Sequence, residues 1–142
     1  MDMQKLIKGV LKYVLLFCFG FTVYEVIEML YRGRTYWWSG VMGGIAFVLI
    51  GMVNELIAWE IPLIIQSVVG GGIVAVIEYT IGMLFNTGYY MWDYRVMTFN
   101  VNGMICLEFS LIWCVLSVLC IILDDWLRYW IFDEEKPRYR VL

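Results

Sequence analysis

The sequence predicts an all-α membrane protein: a four-helix transmembrane bundle followed by a short C-terminal interfacial helix. Three observations carry this expectation. Hydrophobic residues make up 63% of the 142-residue chain, whereas a soluble domain is nearer half apolar. That surplus falls in four runs, each close to the ~20 residues an α-helix needs to cross a hydrocarbon core. Aromatic residues reach 18% and crowd the ends of these runs, where the rings of Trp and Tyr settle at the membrane–water boundary. A chain this short has too little interior to hide so much apolar surface, so lipid is its natural solvent.

The first span is expected from about residue 9 to 31. Lys5, Lys8 and Lys12 ahead of it resemble the start of a secretory signal. The apolar run is long, however, holds Glu25 and Glu28, and offers no clean small-residue cleavage site. It is read as a retained helix. The second span covers about 40 to 59 and ends at the turn signal Trp59-Glu60-Ile61-Pro62. The third, about 61 to 85, follows so closely that the two form an antiparallel hairpin. The fourth covers about 103 to 123. Between them lies Asn86 to Asn102, NTGYYMWDYRVMTFNVN, too polar for a span and too aromatic for a plain linker. Asp124 to Phe132 is too short to span. Its Trp126, Leu127, Trp130 and Ile131 share one helical face, away from Asp125 and Arg128, which fits a helix lying in the interface, with simple continuation of the fourth helix as the alternative. The whole chain, 1–142, reads as one transmembrane domain with 124–142 as an interfacial tail.

Basic residues set the expected orientation. Seven of the ten Lys and Arg residues fall on the side of the chain ends, against Arg32, Arg34 and Arg95 on the other. The positive-inside rule then places both termini in the cytoplasm of a multi-pass protein of the cell membrane.

Composition excludes several classes of function. The chain has no histidine and a net charge of −3, with no basic patch for nucleic acid. Cys18, Cys106, Cys114 and Cys120 have no CxxC spacing and read as small packing residues. No metal site, cofactor motif or nucleophile–base set is visible, so no enzyme activity is expected. The absence of a Gly-rich phosphate loop means the chain is not an ATPase by itself.

What remains is the placement of acids. Glu25 and Glu28 lie in the first span, Glu55 in the second, Glu78 in the third and Glu108 in the fourth. Carboxylates near a helix centre cost roughly 2.5–3.5 kcal/mol on insertion scales, so they face a bundle interior or water. All but Glu55 fall in the predicted outer half, and Glu25 and Glu28, three apart, project to one face. Tyr24 and Tyr79 flank acids as candidate donors. The acids either staple the bundle through the outer arginines or line a cation or proton pathway. Small residues are the second signal. Gly40 and Gly44 form a GxxxG, and Gly70, Gly71 and Gly72 follow in the third span; these are expected to let helices approach closely, with a break whose carbonyls line a cavity as the alternative for the triple glycine.

A resemblance adds to this reading. Glu78-Tyr79, Gly82, Trp92-Asp93-Tyr94, Asn100, Gly103 to Leu107, Ser110 and Trp113, with Gly20-Phe21 and Tyr24-Glu25 upstream, resemble the CmpB-like family of small bacterial ABC-transporter permeases. The resemblance implies that Glu25, Glu78 and the 92–100 region come together. The expected function is therefore a transporter-like or channel-like component for a cation, proton or small polar solute. Its expected site is Glu25, Glu28, Glu78, Glu108, Asp93 and Asn100. Membrane lipid, further copies of the chain and a partner membrane subunit are the expected partners. The alternative is a structural or regulatory subunit that binds lipid or another membrane protein, or a holin-like pore former.

Overall fold

The computed structural model describes residues 3–57 and 60–141. Its helices are α1 (Met3–Arg32), α2 (Trp37–Gly51), the single turn α3 (Val53–Leu56), α4 (Leu63–Phe85) and α5 (Leu107–Phe132). Among the described residues no strand forms; Val101 and Ile105 make an isolated antiparallel bridge.

Three helices, α1, α4 and α5, are long and apolar enough to cross a membrane. The expected second span is different. With 15 residues, α2 rises only about 22 Å, short of a ~30 Å hydrocarbon core. Its path continues through Met52, whose N–H still bonds to the Val48 carbonyl, into α3. The second apolar run is thus a broken helix, and its expected end at Trp59 lies outside the described residues. The fourth helix starts four residues later than expected, because Gly103 takes up φ +67 in a turn.

α5 also runs on without interruption to Phe132. Residues 124–132 are its last turns, and no separate C-terminal helix exists among the described residues. The expected polarity of that stretch is inverted as well. Asp125 and Arg128 are buried, while Trp130 and Ile131 are 69% and 58% exposed. The same inversion holds along the helix, where Leu111, Val115 and Leu119 face outward and Ser117, Asp124 and Arg128 face inward. A helix whose apolar stripe is its outer stripe is built for lipid. Helical hydroxyls follow suit: Thr22, Thr80, Ser110 and Ser117 each donate to the carbonyl four residues back, which satisfies these four donors in an apolar setting.

α1 packs along α2 and α4 along α5, with α2 lying against both of the latter. Glycines set these distances. Phe21 and Phe17 of α1 lie over Gly40 and Gly44, Gly70 sits against Ser117 and Ile50, and Gly71 against Cys114. Gly72 departs from the expected set, with nothing within 4 Å of where a Cβ would stand. Successive helical residues turn about 100°, so three adjacent glycines do not serve one neighbour.

After α5 the chain folds back. Asp133 reverses it with φ +58, and the Arg140 carbonyl accepts the otherwise unpaired N–H of Leu63 at 2.7 Å. Tyr139 packs on the core cluster of Ala46, Ile50, Leu63, Val74 and Ile121. The tail is therefore part of the bundle's floor.

Candidate functional site

At the end of the bundle opposite the chain termini, α1 and α5 diverge around a cavity of about 570 Å³. The connector between α4 and α5 closes it from above. Asn86, fully buried, holds that connector by donating to the Trp92 carbonyl at 2.7 Å and accepting the Met91 N–H at 2.9 Å. Trp92 in turn donates its indole N–H to the Met104 carbonyl at 2.9 Å. These bonds fix the loop as a lid on the helices rather than a free linker.

Glu78 of α4 stands at the cavity wall and is 2% exposed. Tyr94 Oη donates to one of its oxygens at 3.0 Å, and Trp113 Nε1 to the other at 3.1 Å. Tyr24 of α1 stacks on Trp113, with ring centroids 5.8 Å apart, and Phe109 stacks on Tyr94 at 4.7 Å. Burial, and after it the Glu78 charge, push the Tyr94 phenol far above its usual range, so it remains a donor. Both donors are neutral; among the described residues none makes an ion pair with Glu78. Glu28 is arranged differently. It pairs with Arg32 one turn on, accepts from Thr35 Oγ1 at 2.9 Å, and Arg32 also reaches the Met91 carbonyl. That network ties the top of α1 to the lid.

The cavity thus gathers three of the six expected site residues, Glu28, Glu78 and Asp93. Glu25 is half-buried and does not line it, because the lining face of α1 runs through Tyr24, Ile27, Glu28 and Tyr31. Glu108 lies in the first turn of α5, beside Thr98. Asn100 organises the loop: it donates to the Arg95 and Met97 carbonyls at 3.3 and 3.0 Å and accepts the Gly103 N–H at 3.0 Å. Tyr79 is not a donor to Glu78; its hydroxyl accepts from Asn102 at 2.9 Å. Trp113 as the second donor was legible only as a residue of the resembling motif.

Asp93 sits at the rim, gripped by Arg95 through its side-chain Nε at 2.9 Å and Nη2 at 2.7 Å, and by the Arg95 backbone N–H at 3.0 Å. These bonds lower its carboxyl from 3.8 to about 2. A depressed value means the contribution is complete above the ordinary value and is lost only as pH falls through about 2. The pair is exposed, so its effect on overall stability is small. A carboxyl NMR titration is expected to place Asp93 near 2 in the native chain and to return it toward the ordinary range in Arg95→Gln. A midpoint indifferent to that substitution would show that Arg95 is not the cause.

A second polar cluster, unforeseen as a site, lies at the end that holds both termini. Asp124 and Arg128 are 0% and 2% exposed and pair at 2.5 Å between Oδ2 and Nε. Arg128 lies 5.6 Å from the Tyr13 ring of α1 and 3.8 Å from Glu134, which Lys12 also reaches at 2.6 Å. A sequence signal existed, an opposite-charge pair four residues apart at the end of an apolar run.

Apolar helices turned outward, with carboxylates and arginines turned inward, define a polytopic membrane protein. The particular family follows from the sequence as a whole. A family model described as "Putative ABC-transporter type IV" matches residues 11–135, and the chain belongs to that family. Among curated proteins and solved structures, none matches the chain.

Proposed function

We propose that this protein is a membrane transport component whose aromatic chamber admits a cation, an organic ammonium in particular, toward Glu78. The observation that carries this is a buried carboxylate held by two neutral donors in a cavity walled by Tyr24, Tyr94 and Trp113. Glu28 is matched by Arg32 and Asp93 by Arg95, which leaves Glu78 as the wall's unbalanced charge. Aromatic faces beside a carboxylate favour a weakly hydrated cation. Arg34 at the rim is exposed, where salt screens it.

In this reading both termini are cytoplasmic and the chamber opens to the outside of the cell membrane. Energy coupling comes from a partner subunit, consistent with the family's description and with a chain that carries no phosphate loop of its own. That orientation takes α2 and the α3 turn together as the return crossing, since the path from Trp37 to Leu56 rises about 30 Å.

Proteoliposome flux down an imposed gradient, which needs no energy coupling, tests the proposal, with a proton-sensitive dye, potassium and tetramethylammonium as probes. Glu78→Gln keeps the packing and the acceptor for Trp113, while Tyr94 reverses its hydroxyl. It is expected to reduce cation flux about tenfold or more, the loss of about 1.4 kcal/mol or greater. Glu25→Gln, outside the chamber, is expected to leave flux unchanged. No flux of any probe, or flux that Glu78→Gln leaves intact, would sink the transport reading. The scaffolding alternative draws on the Glu28–Arg32 staple and would then stand in its place.

A further inference from the structure

We propose that the pocket at the terminal end of the bundle binds a small zwitterion, its oxyanion on Arg128 and its ammonium on the surrounding carboxylates. The pocket has a volume of about 360 Å³ and is lined by Glu55, Asp125, Arg128, Asp133, Glu134 and Glu135. It is separate from the aromatic chamber, and none of these residues takes part in the transport proposal.

Two independent observations meet there. The first is the guanidinium. Arg128 is 2% exposed; its Nε donates to Asp124, while Nη1 and Nη2 meet no acceptor at hydrogen-bond geometry among the described residues, the neighbouring Tyr13 hydroxyl giving only a loose contact. Two buried charged donors without acceptors cost several kcal/mol unless something accepts from them. Their parallel geometry matches the two oxygens of a carboxylate or phosphate. Glu134 does not serve as a hydrogen-bond acceptor, since its nearer oxygen, Oε2, is 3.8 Å from Nη1, while Lys12 draws the other oxygen at 2.6 Å.

The second observation is the wall. Five carboxylates ring the one arginine, and among the described residues no ion pair reaches Glu55, Asp133 or Glu135. A simple anion on Arg128 would meet that ring and be repelled. A bare metal ion is also a poor match, because among the described residues no three acids converge closely enough to hold one. Water satisfies Nη1 and Nη2 but brings no counter-charge to Glu55, Asp133 and Glu135. A molecule with an oxyanion at one end and a primary ammonium at the other satisfies both halves, and the ammonium's three donors suit a dispersed set of acceptors.

Such a molecule has two sources: a diffusible zwitterion from the aqueous side, or the headgroup of phosphatidylethanolamine. Trp126 and Trp130, with ring centroids 5.2 Å apart and tilted on the same stretch of α5, mark headgroup depth, so the pocket is within reach of both.

The full chain in detergent, titrated calorimetrically with phosphoethanolamine, inorganic phosphate and ethylammonium, reads the first source. Native mass spectrometry of the chain released from mixed phosphatidylethanolamine and phosphatidylglycerol vesicles reads the second. Binding of phosphoethanolamine at least about tenfold tighter than either half-molecule, or retention of phosphatidylethanolamine over phosphatidylglycerol, supports the proposal and names the source. Arg128 variants are at risk of misfolding, so the discriminating variant is Glu55→Gln with Glu135→Gln, both exposed. It is expected to weaken the zwitterion about tenfold and phosphate not at all. Equal binding of either half-molecule, an unaffected double variant, or blank results in both arms would overturn it.

Discussion

Gly20→Val is expected to force α1 away from α2 and to destabilise the protein by about 3 kcal/mol or more, the upper end of the usual cost of overpacking. The two helices cross where Gly20 faces Gly43. A Cβ on Gly20 would overlap the Cβ of Phe47 and stand 2.8 Å from the Gly43 carbonyl oxygen; one on Gly43 would overlap the Cβ of Tyr24. Those atoms are fixed to the backbone, so no rotamer change clears them. Gly40 and Gly44 face the far ends of the Phe21 and Phe17 rings instead, which can swing aside. Gly44→Ala should therefore cost far less, and Gly72→Ala, in open space, should be neutral or gain up to about 1 kcal/mol of helix propensity. Because Tyr24 and Glu28 sit one and two turns beyond Gly20, the crossing variant is also expected to displace the chamber wall and abolish flux. Denaturation midpoints in detergent rank the series. Equal midpoints for Gly20→Val and Gly44→Ala would mean that the crossing is not tight.

The contrast among the glycines shows what was legible in the sequence and what was not. Apolar runs of membrane length revealed α1, α4 and α5, because hydrophobic length is a property of one segment. The GxxxG at Gly40 and Gly44 was visible for the same reason. That Gly43, one position away, makes the tighter contact depends on where Gly20 of another helix arrives. The break at Met52 and the docking of Tyr139 under the bundle are likewise set by partners distant in the chain. Gly51 is an instance: a Cβ there would overlap the Asp124 carboxylate, so this residue and its acid on α5 constrain each other.

The site divided along the same line. The resemblance implied that Glu25, Glu78 and the 92–100 region come together; the structure gathers Glu78 and the Trp92-Asp93-Tyr94 lid around one cavity and leaves Glu25 and Asn100 off its wall. The spacing of Glu25 and Glu28 placed both on one face, yet the cavity admits only Glu28. At about 100° per residue the lining arc of α1 runs from Ile27 through Tyr31 and Tyr24 to Glu28, and Glu25 falls about 60° beyond Glu28. The larger reversal concerns Asp124 to Phe132. Its apolar face was read as the side laid into the interface, with Asp125 and Arg128 turned to water. In a helix continuing through the bundle, the apolar face belongs to lipid and the charges belong inside. Periodicity locates the two faces; it does not say which one is buried.

That reversal leads to the other large expected effect. Arg128→Met is expected to cost about 3–5 kcal/mol, because it strands the Asp124 carboxylate without a counter-charge in a fully buried position. Asp124→Leu should cost a similar amount by stranding Arg128. The pair does more than neutralise itself. α1 makes its main contact with α2, and at this end Tyr13 beside Arg128 and Lys12 on Glu134 tie it to α5. The same attachment is made at the far end by Tyr24 on Trp113. The double variant Asp124→Leu/Arg128→Met removes both charges and fills the space with apolar volume, so it is expected to be more stable than either single variant, a coupling larger than the roughly 3–5 kcal/mol cost of one single. It should still release Glu134 from Arg128 and lose any zwitterion held by the guanidinium, while cation flux through the chamber continues. Denaturant midpoints of the two single variants and the double variant decide this. If the double variant is as unstable as the sum of the singles, the two side chains act separately, and the buried pair is not what joins the bundle's floor.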